Sequence, residues 1–196
     1  MTCLSCSQVR EYVSIAQNSH ISEAYLGVLE KWTGETTVYR EFETKVHIAI
    51  TYKSEEFNDA YSEEYARIYG LTESERQTRA ALIGNLAADF DEFLFYAYIP
   101  ENASNDFAEA GSIWKIFLID GTGATTAPLE VRKFENITPV MLEFFPYIKP
   151  HYGMFYGLKF PARDMTSGGT DVKVVFTSVI GRVEFAWDRK RGGKGE

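Results

Sequence analysis

The chain has 196 residues and a formal charge of −8 at neutral pH, from 28 Asp and Glu against 20 Lys and Arg. That balance sets a repulsive field against nucleic acid and anionic lipid, whose recognition depends on Lys and Arg, so no nucleic-acid partner is expected. With 45% hydrophobic and 15% aromatic residues, the chain can bury the core of one domain without disulfide or metal staples, and no stretch is apolar for long enough to span a bilayer as a helix.

Both cysteines stand near the N-terminus, in Cys3-Leu4-Ser5-Cys6-Ser7. A Cys-x-x-Cys redox pair takes a strand before its first thiol and a helix after its second, which lowers the thiol pKa. Only two residues precede Cys3. Two thiols with no His nearby also leave a tetrahedral zinc site half empty within one chain. A Cys followed by Ser and a polar stretch, in a chain otherwise free of Cys, resembles the processed N-terminus of a bacterial lipoprotein. The resemblance covers Cys3 to Gln8; Ser5 suits the small residue the family places before its Cys, whereas Leu4 and Cys3 depart from its pattern. It implies a lipid on the thiol of Cys6 or Cys3, a signal peptide removed, and a place in the bacterial cell envelope facing the outer membrane or periplasm. A native Met1 implies a cytoplasmic protein instead. Residues 1–8 are then a tether. The Gly-rich end, 189–196, with Arg189, Lys190, Arg191 and Lys194, reads as a solvated tail.

Apolar residues recur at helical spacing at Val9, Tyr12, Val13 and Ala16, then at Ile21, Tyr25, Val28, Leu29 and Trp32, which predicts two short helices or one bent helix. Thr36 to Tyr52 alternates, with Phe42, Val46, Ile48, Ile50 and Tyr52 on one face and Glu41, Glu43, Lys45 and His47 on the other, as one long half-exposed strand does. The period then turns helical, with Phe57, Tyr61, Tyr65 and Ile68 on one stripe and Gly70 as the C-cap. Thr72 and Glu75 form a capping box that opens a second helix carrying Leu82, Ile83, Leu86, Ala87 and Phe90. The pair is a helical hairpin covering one end or edge of a sheet. Strands follow at Phe93–Ile99, Ile113–Ile119, Pro128–Phe134, Met154–Phe160, Val172–Ser178 and Arg182–Trp187, with Val140–Phe145 a weaker one. Ser178 to Gly181 suits a tight turn between the last two.

Chemistry-bearing residues do not cluster along the chain. His20, His47 and His151 lack a second ligand at metal-site spacing, and no Ser stands in a glycine elbow. Asp89, Asp91 and Glu92 close a helix without the alternating acids of a calcium loop. Phe144 to Tyr156 is the most unusual stretch: Pro146 and Pro150 force an extended connection, and the rings around them exceed what a loop needs. It reads either as a buried crossover between two sheets, or as an exposed aromatic platform centred on Tyr147, His151, Tyr152 and Phe155.

The resulting expectation is a mainly β chain, an immunoglobulin-like antiparallel β-sandwich with an N-terminal helix and an inserted helical hairpin at about 55–91, in one domain over 9–188. Its expected role is that of a non-enzymatic envelope lipoprotein binding another envelope component, most simply a protein, with the membrane reached through the N-terminal lipid only. No cofactor, metal or catalytic residue is expected. The alternative is a small-molecule or carbohydrate-binding module, or an enzyme using Asp89, Asp91 and Glu143 in a cleft between hairpin and sheet. A concave pocket lined by Tyr and Trp points to that alternative; a flat or convex apolar patch points to a protein partner.

Overall fold

The computed structural model describes residues 21–162, 171–188 and 193–194. Cys3, Cys6, the tether, the repeat from Val9 to Ala16 and most of the basic tail lie outside the described residues. Among the described residues, no helix is long and apolar enough to cross a membrane.

Ser22 caps the first helix, α1 (Glu23–Trp32), its hydroxyl accepting from the Tyr25 amide at 3.2 Å. The helix buries Tyr25, Leu29 and Trp32 along one stripe. Thr33 begins β1 (Thr33–Arg40), which pairs antiparallel with β2 (Glu43–Tyr52). The long strand expected over Thr36 to Tyr52 is therefore two strands. Glu41 and Phe42 turn the chain at φ of 52° and 69°, the type I′ conformation that Asn and Gly ordinarily announce. Phe42 leaves the inward face expected for it and stands fully exposed.

Two helices follow, with termini where their capping residues put them. Ser54 caps α2 (Glu55–Tyr69), and Gly70 ends it in the left-handed region at φ 60° and ψ 39°. Thr72 and Glu75 close the capping box of α3 (Glu73–Asp89): Thr72 N donates to Glu75 Oε2 at 2.8 Å. α2 buries Phe57, Asn58, Glu64 and Ala66. α3 runs directly into β3 (Phe90–Tyr98). A 3-10 turn at Asn102–Ser104 precedes β4 (Lys115–Asp120), β5 (Thr125–Thr126) and β6 (Glu130–Lys133). Residues read as a weak strand, Val140 to Phe145, form α4 (Pro139–Phe144) instead. Thr138 accepts from Met141 N at 3.3 Å, and Pro139 occupies the first turn, where its missing N–H is not needed. Then come β7 (Met154–Pro161), β8 (Asp171–Thr177), β9 (Arg182–Asp188) and β10 (Gly193–Lys194). β10 pairs with Asp188 and Trp187, so this part of the expected tail belongs to a sheet.

Among the described residues the chain is mainly β, with two five-stranded sheets ordered β1-β2-β3-β7-β6 and β10-β9-β8-β4-β5, antiparallel throughout. Their inner faces meet through aromatic rings: Phe95 lies 5.1 Å from Phe176 and Phe93 lies 5.4 Å from Trp187. Trp187 Nε1 donates to the Trp32 carbonyl at 3.0 Å, satisfying the indole inside the core. At Gly34 on β1 a Cβ would lie 2.7 Å from the Phe185 ring on β9, so a side chain there would push the sheets apart.

The first sheet is covered on its other face as well. Phe155 stacks on Phe134 at 5.1 Å and lies 5.8 Å from Phe145, which lies 6.2 Å from Phe57 of α2. Tyr25 donates to the Phe144 carbonyl at 3.0 Å, tying α1 to the end of α4. The segment expected to cross between sheets leaves and re-enters the same one, because β6 and β7 are paired neighbours.

Candidate functional site

The outer face of the first sheet carries a row of polar and aromatic side chains near the open end of α4. In register, Thr37 of β1 faces His47 of β2, and His47 faces Tyr98 of β3. His47 Nδ1 is 2.9 Å from Thr37 Oγ1, and its Nε2 is 3.6 Å from a Glu35 carboxylate oxygen. The imidazole meets the Tyr96 ring at a centroid distance of 6.2 Å, edge to face.

The segment from Pro146 to Gly153 passes over this row. Ile148 N donates to the Phe145 carbonyl at 2.9 Å, and Tyr152 N donates to the Lys149 carbonyl at 3.0 Å, which folds the segment into two tight turns. Two phenols pin it to the sheet. Tyr147 Oη shares a hydrogen bond with Thr51 Oγ1 at 2.8 Å, and Tyr96 Oη donates to the Lys149 carbonyl at 3.2 Å. Where the segment turns back into β7, a Cβ on Gly153 would lie 2.4 Å from the Ala97 carbonyl and 2.6 Å from Tyr96 Oη. Only glycine lets the chain come this close.

Sheet and segment enclose an open groove of about 540 Å³, lined by Glu35, His47, Tyr96, Tyr98, Pro146, Tyr147, Lys149 and Tyr152. That volume falls in the range of small-ligand sites, roughly 300 to 1,000 Å³. Burial pushes the Tyr96 phenol up to about 12, with Tyr98 beside it adding to the shift. Burial also raises Tyr147, against the hydrogen bond to Thr51. Both phenols stay neutral near pH 7, but their hydroxyls are taken by the Lys149 carbonyl and Thr51 and Tyr96 is buried, so the ring surface at the groove comes from Tyr98, Tyr147 and Tyr152, with Glu35, His47 and Lys149 at its walls. That is equipment for holding a ligand by stacking and hydrogen bonding.

Of the platform residues read from the sequence, the structure brings Tyr147 and Tyr152 together in this groove, Tyr152 at 68% exposure. His151 is exposed and lines, with Tyr152, a neighbouring hollow of about 280 Å³ that also holds Lys133 and Glu135. Phe155 offers no surface: it is fully buried, because the outer face of β7 is roofed by Phe134 and Phe145. Cys3 and Cys6 lie outside the described residues. The acids do not form one site. Asp91 points between the sheets and accepts from Tyr52 Oη at 2.7 Å, Asp89 stands at the exposed end of α3, and Glu143 is exposed on α4. His47 stands on the polar face of its strand, as its alternation implies, whereas its neighbours Glu35, Tyr96 and Tyr98 reach it from other strands and were not expected there. The alternation of β3 carried the signal: Tyr96 and Tyr98 stand on the face opposite Phe93 and Phe95. Comparison with protein-family models, with curated proteins and with solved structures finds no match to this chain.

Proposed function

We propose that the chain is a non-enzymatic binding protein of the bacterial cell envelope, held to the membrane through a lipid on Cys6 or Cys3. Its folded part takes a carbohydrate ligand in the tyrosine groove. The anchor and the compartment rest on the N-terminal sequence; the ligand class rests on the groove. The observation that carries it is the convergence of Tyr98, Tyr147 and Tyr152 with His47 and Glu35 on one open concavity, over the buried Tyr96. Tyrosine faces suit the C–H faces of sugar rings, and neutral phenols, imidazole and carboxylate suit their hydroxyls. The accompanying fold is an immunoglobulin-like β-sandwich with a helical hairpin inserted between strands; antiparallel pairing throughout and the aromatic contacts between sheets support it.

Calorimetric titration of the full chain with glucose-built and N-acetylglucosamine-built hexasaccharides tests the ligand class. Binding is expected to weaken at least tenfold in Tyr152→Ala while stability stays within about 0.5 kcal/mol, as for an exposed side chain. If no hexasaccharide binds, or if Tyr152→Ala binds as the parent does, the carbohydrate reading fails.

One observation favours a second reading, a protein partner. α3 buries none of its described side chains, and Leu82 on it is 62% exposed. Lipid on the N-terminal thiol is tested separately, by the intact mass of the protein expressed from its native gene. A lipid-sized increase, lost when Cys6 and Cys3 become Ser, supports the anchor; an unmodified mass contradicts it.

A further inference from the structure

Two strand turns at one end of the molecule carry apolar side chains that the described fold does not cover. The β1–β2 turn places Phe42 at φ 69°, next to Glu41 at φ 52°. A bulky residue in the left-handed region is a backbone outlier, held against its own preference. The fold gains no packing in return, since Phe42 is fully exposed. Tyr39, just before the turn, is 66% exposed, and Val179 in the β8–β9 turn is 93% exposed. The turns are neighbours. Val179 and Ile180 share a hollow of about 640 Å³ with Arg40 and Lys45, and a Cβ on Gly181 would lie 3.4 Å from Val38.

The geometry points to this end of the molecule as a membrane-contacting edge, with Phe42 and Val179 inserting shallowly into the interface of a zwitterionic bilayer. The apolar groups sit at the tips of two separate turns, beside the hollow that the turns share. A protein partner needs a matched solid surface, about 800 Å² on each side for a stable complex, whereas fluid acyl chains close around isolated tips. The collar suits the headgroup level: Tyr39 is amphipathic, and Arg40 and Lys45 have long stems that keep their charge in water. Lys45 pairs with Glu43 at 2.6 Å, and Glu41 and Glu101 stand at the same end, so the contact is not that of a polybasic patch. With a net charge of −8, anionic lipid gives no gain. The contact is independent of N-terminal acylation.

The test uses the full chain with Cys3→Ser and Cys6→Ser, so that no acyl chain contributes. Flotation with phosphatidylcholine–phosphatidylethanolamine vesicles is measured for this chain and for added Phe42→Gly and Val179→Asp. Vesicle partitioning of the parent is expected, and each added change should lower it at least tenfold. Phe42→Gly should also raise the melting temperature, because glycine relieves the positive φ; stability and binding then move in opposite directions, which a structural role does not produce. In Phe42→Trp the new indole should shift its emission to the blue on vesicles, against a background of Trp32, Trp114 and Trp187, all buried. No partitioning, partitioning unchanged in both variants, or partitioning only onto anionic vesicles would overturn the proposal. Self-association that Phe42→Gly abolishes would assign the tips to a second copy of the chain instead.

Discussion

The two sheets share an aromatic core and differ in what lies on their outer faces. Among the described residues, the outer face of the second sheet is largely bare, although Val175 is fully buried on it. Along β8 and β9, Val172, Val174, Phe176, Val183, Phe185 and Trp187 face inward, while Lys173 pairs with Glu184 at 3.0 Å and Arg182 pairs with it at 2.6 Å outside. The first sheet is roofed on both faces, so β2 is buried almost without interruption from Ile48 to Tyr52 and β3 from Phe95 to Ala97. A third layer over a sheet makes a rim where roof and sheet part, and the tyrosine groove is that rim.

Single rings should show the difference between the two sheets most strongly. Phe95→Ala, between the sheets, and Phe155→Ala, under the roof, should each destabilise by about 3–5 kcal/mol. Phe117→Ala, half-buried on the outer face of the second sheet, should lose only about 1 kcal/mol. Urea unfolding of the three variants measures this; equal losses at Phe155 and Phe117 would mean the roof is not core.

Glu64 of α2 comes next, because it fastens the entry of α1 to the roof. It accepts from Ser22 N at 2.6 Å and Ser22 Oγ at 2.8 Å, and pairs with Arg67 at 2.7 Å. Glu64→Gln should cost about 2–3 kcal/mol, since charge-assisted bonds are lost inside a mostly buried site. Arg67 and the Ser22 donors hold its carboxyl down to about 2, against burial, from an ordinary 4.5. The folded state therefore binds fewer protons than the unfolded chain, and the stabilisation present above pH 4.5 is lost as pH falls towards 2. Melting temperatures across that window should fall less steeply in Glu64→Gln than in the parent.

Smaller effects sharpen the contrast. Tyr147→Phe removes the bond to Thr51 that pins the groove wall and should cost about 1 kcal/mol. Lys173→Ala, on the bare face, should change stability by less than about 1 kcal/mol, as exposed ion pairs do. Thermal unfolding of this pair checks both.

What the sequence made legible follows the same division. β8 and β9 alternate because one face is wet, and their ends fall within a residue or so of those expected. The end of α2 and the start of α3 were readable from Gly70, Thr72 and Glu75, which do the capping, but the end of α3 was not: Phe90, read as helical, and Asp91 and Glu92, read as closing the helix, stand on β3. The turn at Glu41 and Phe42 was not, because neither residue favours positive φ and the alternation runs on through it. Val140 to Phe145 looked strand-like by its β-branched and aromatic residues, yet Thr138 and Pro139 start a helix there. Phe155 looked available because a ring beside two prolines is readable, while the Phe134 and Phe145 that cover it come from other elements. Half of the groove was within reach: Tyr147 and Tyr152 stand in the unusual segment, but Glu35, Tyr96 and Tyr98 join them only through strand register.

If the roofed face carries the binding site, nuclear magnetic resonance shift mapping of the full chain with the hexasaccharides will locate it there. Shifts should concentrate at His47, Tyr96, Tyr98 and Tyr152, with Lys173 and Glu184 unmoved. Shifts centred on the bare face of the second sheet, or none at the groove, would contradict it.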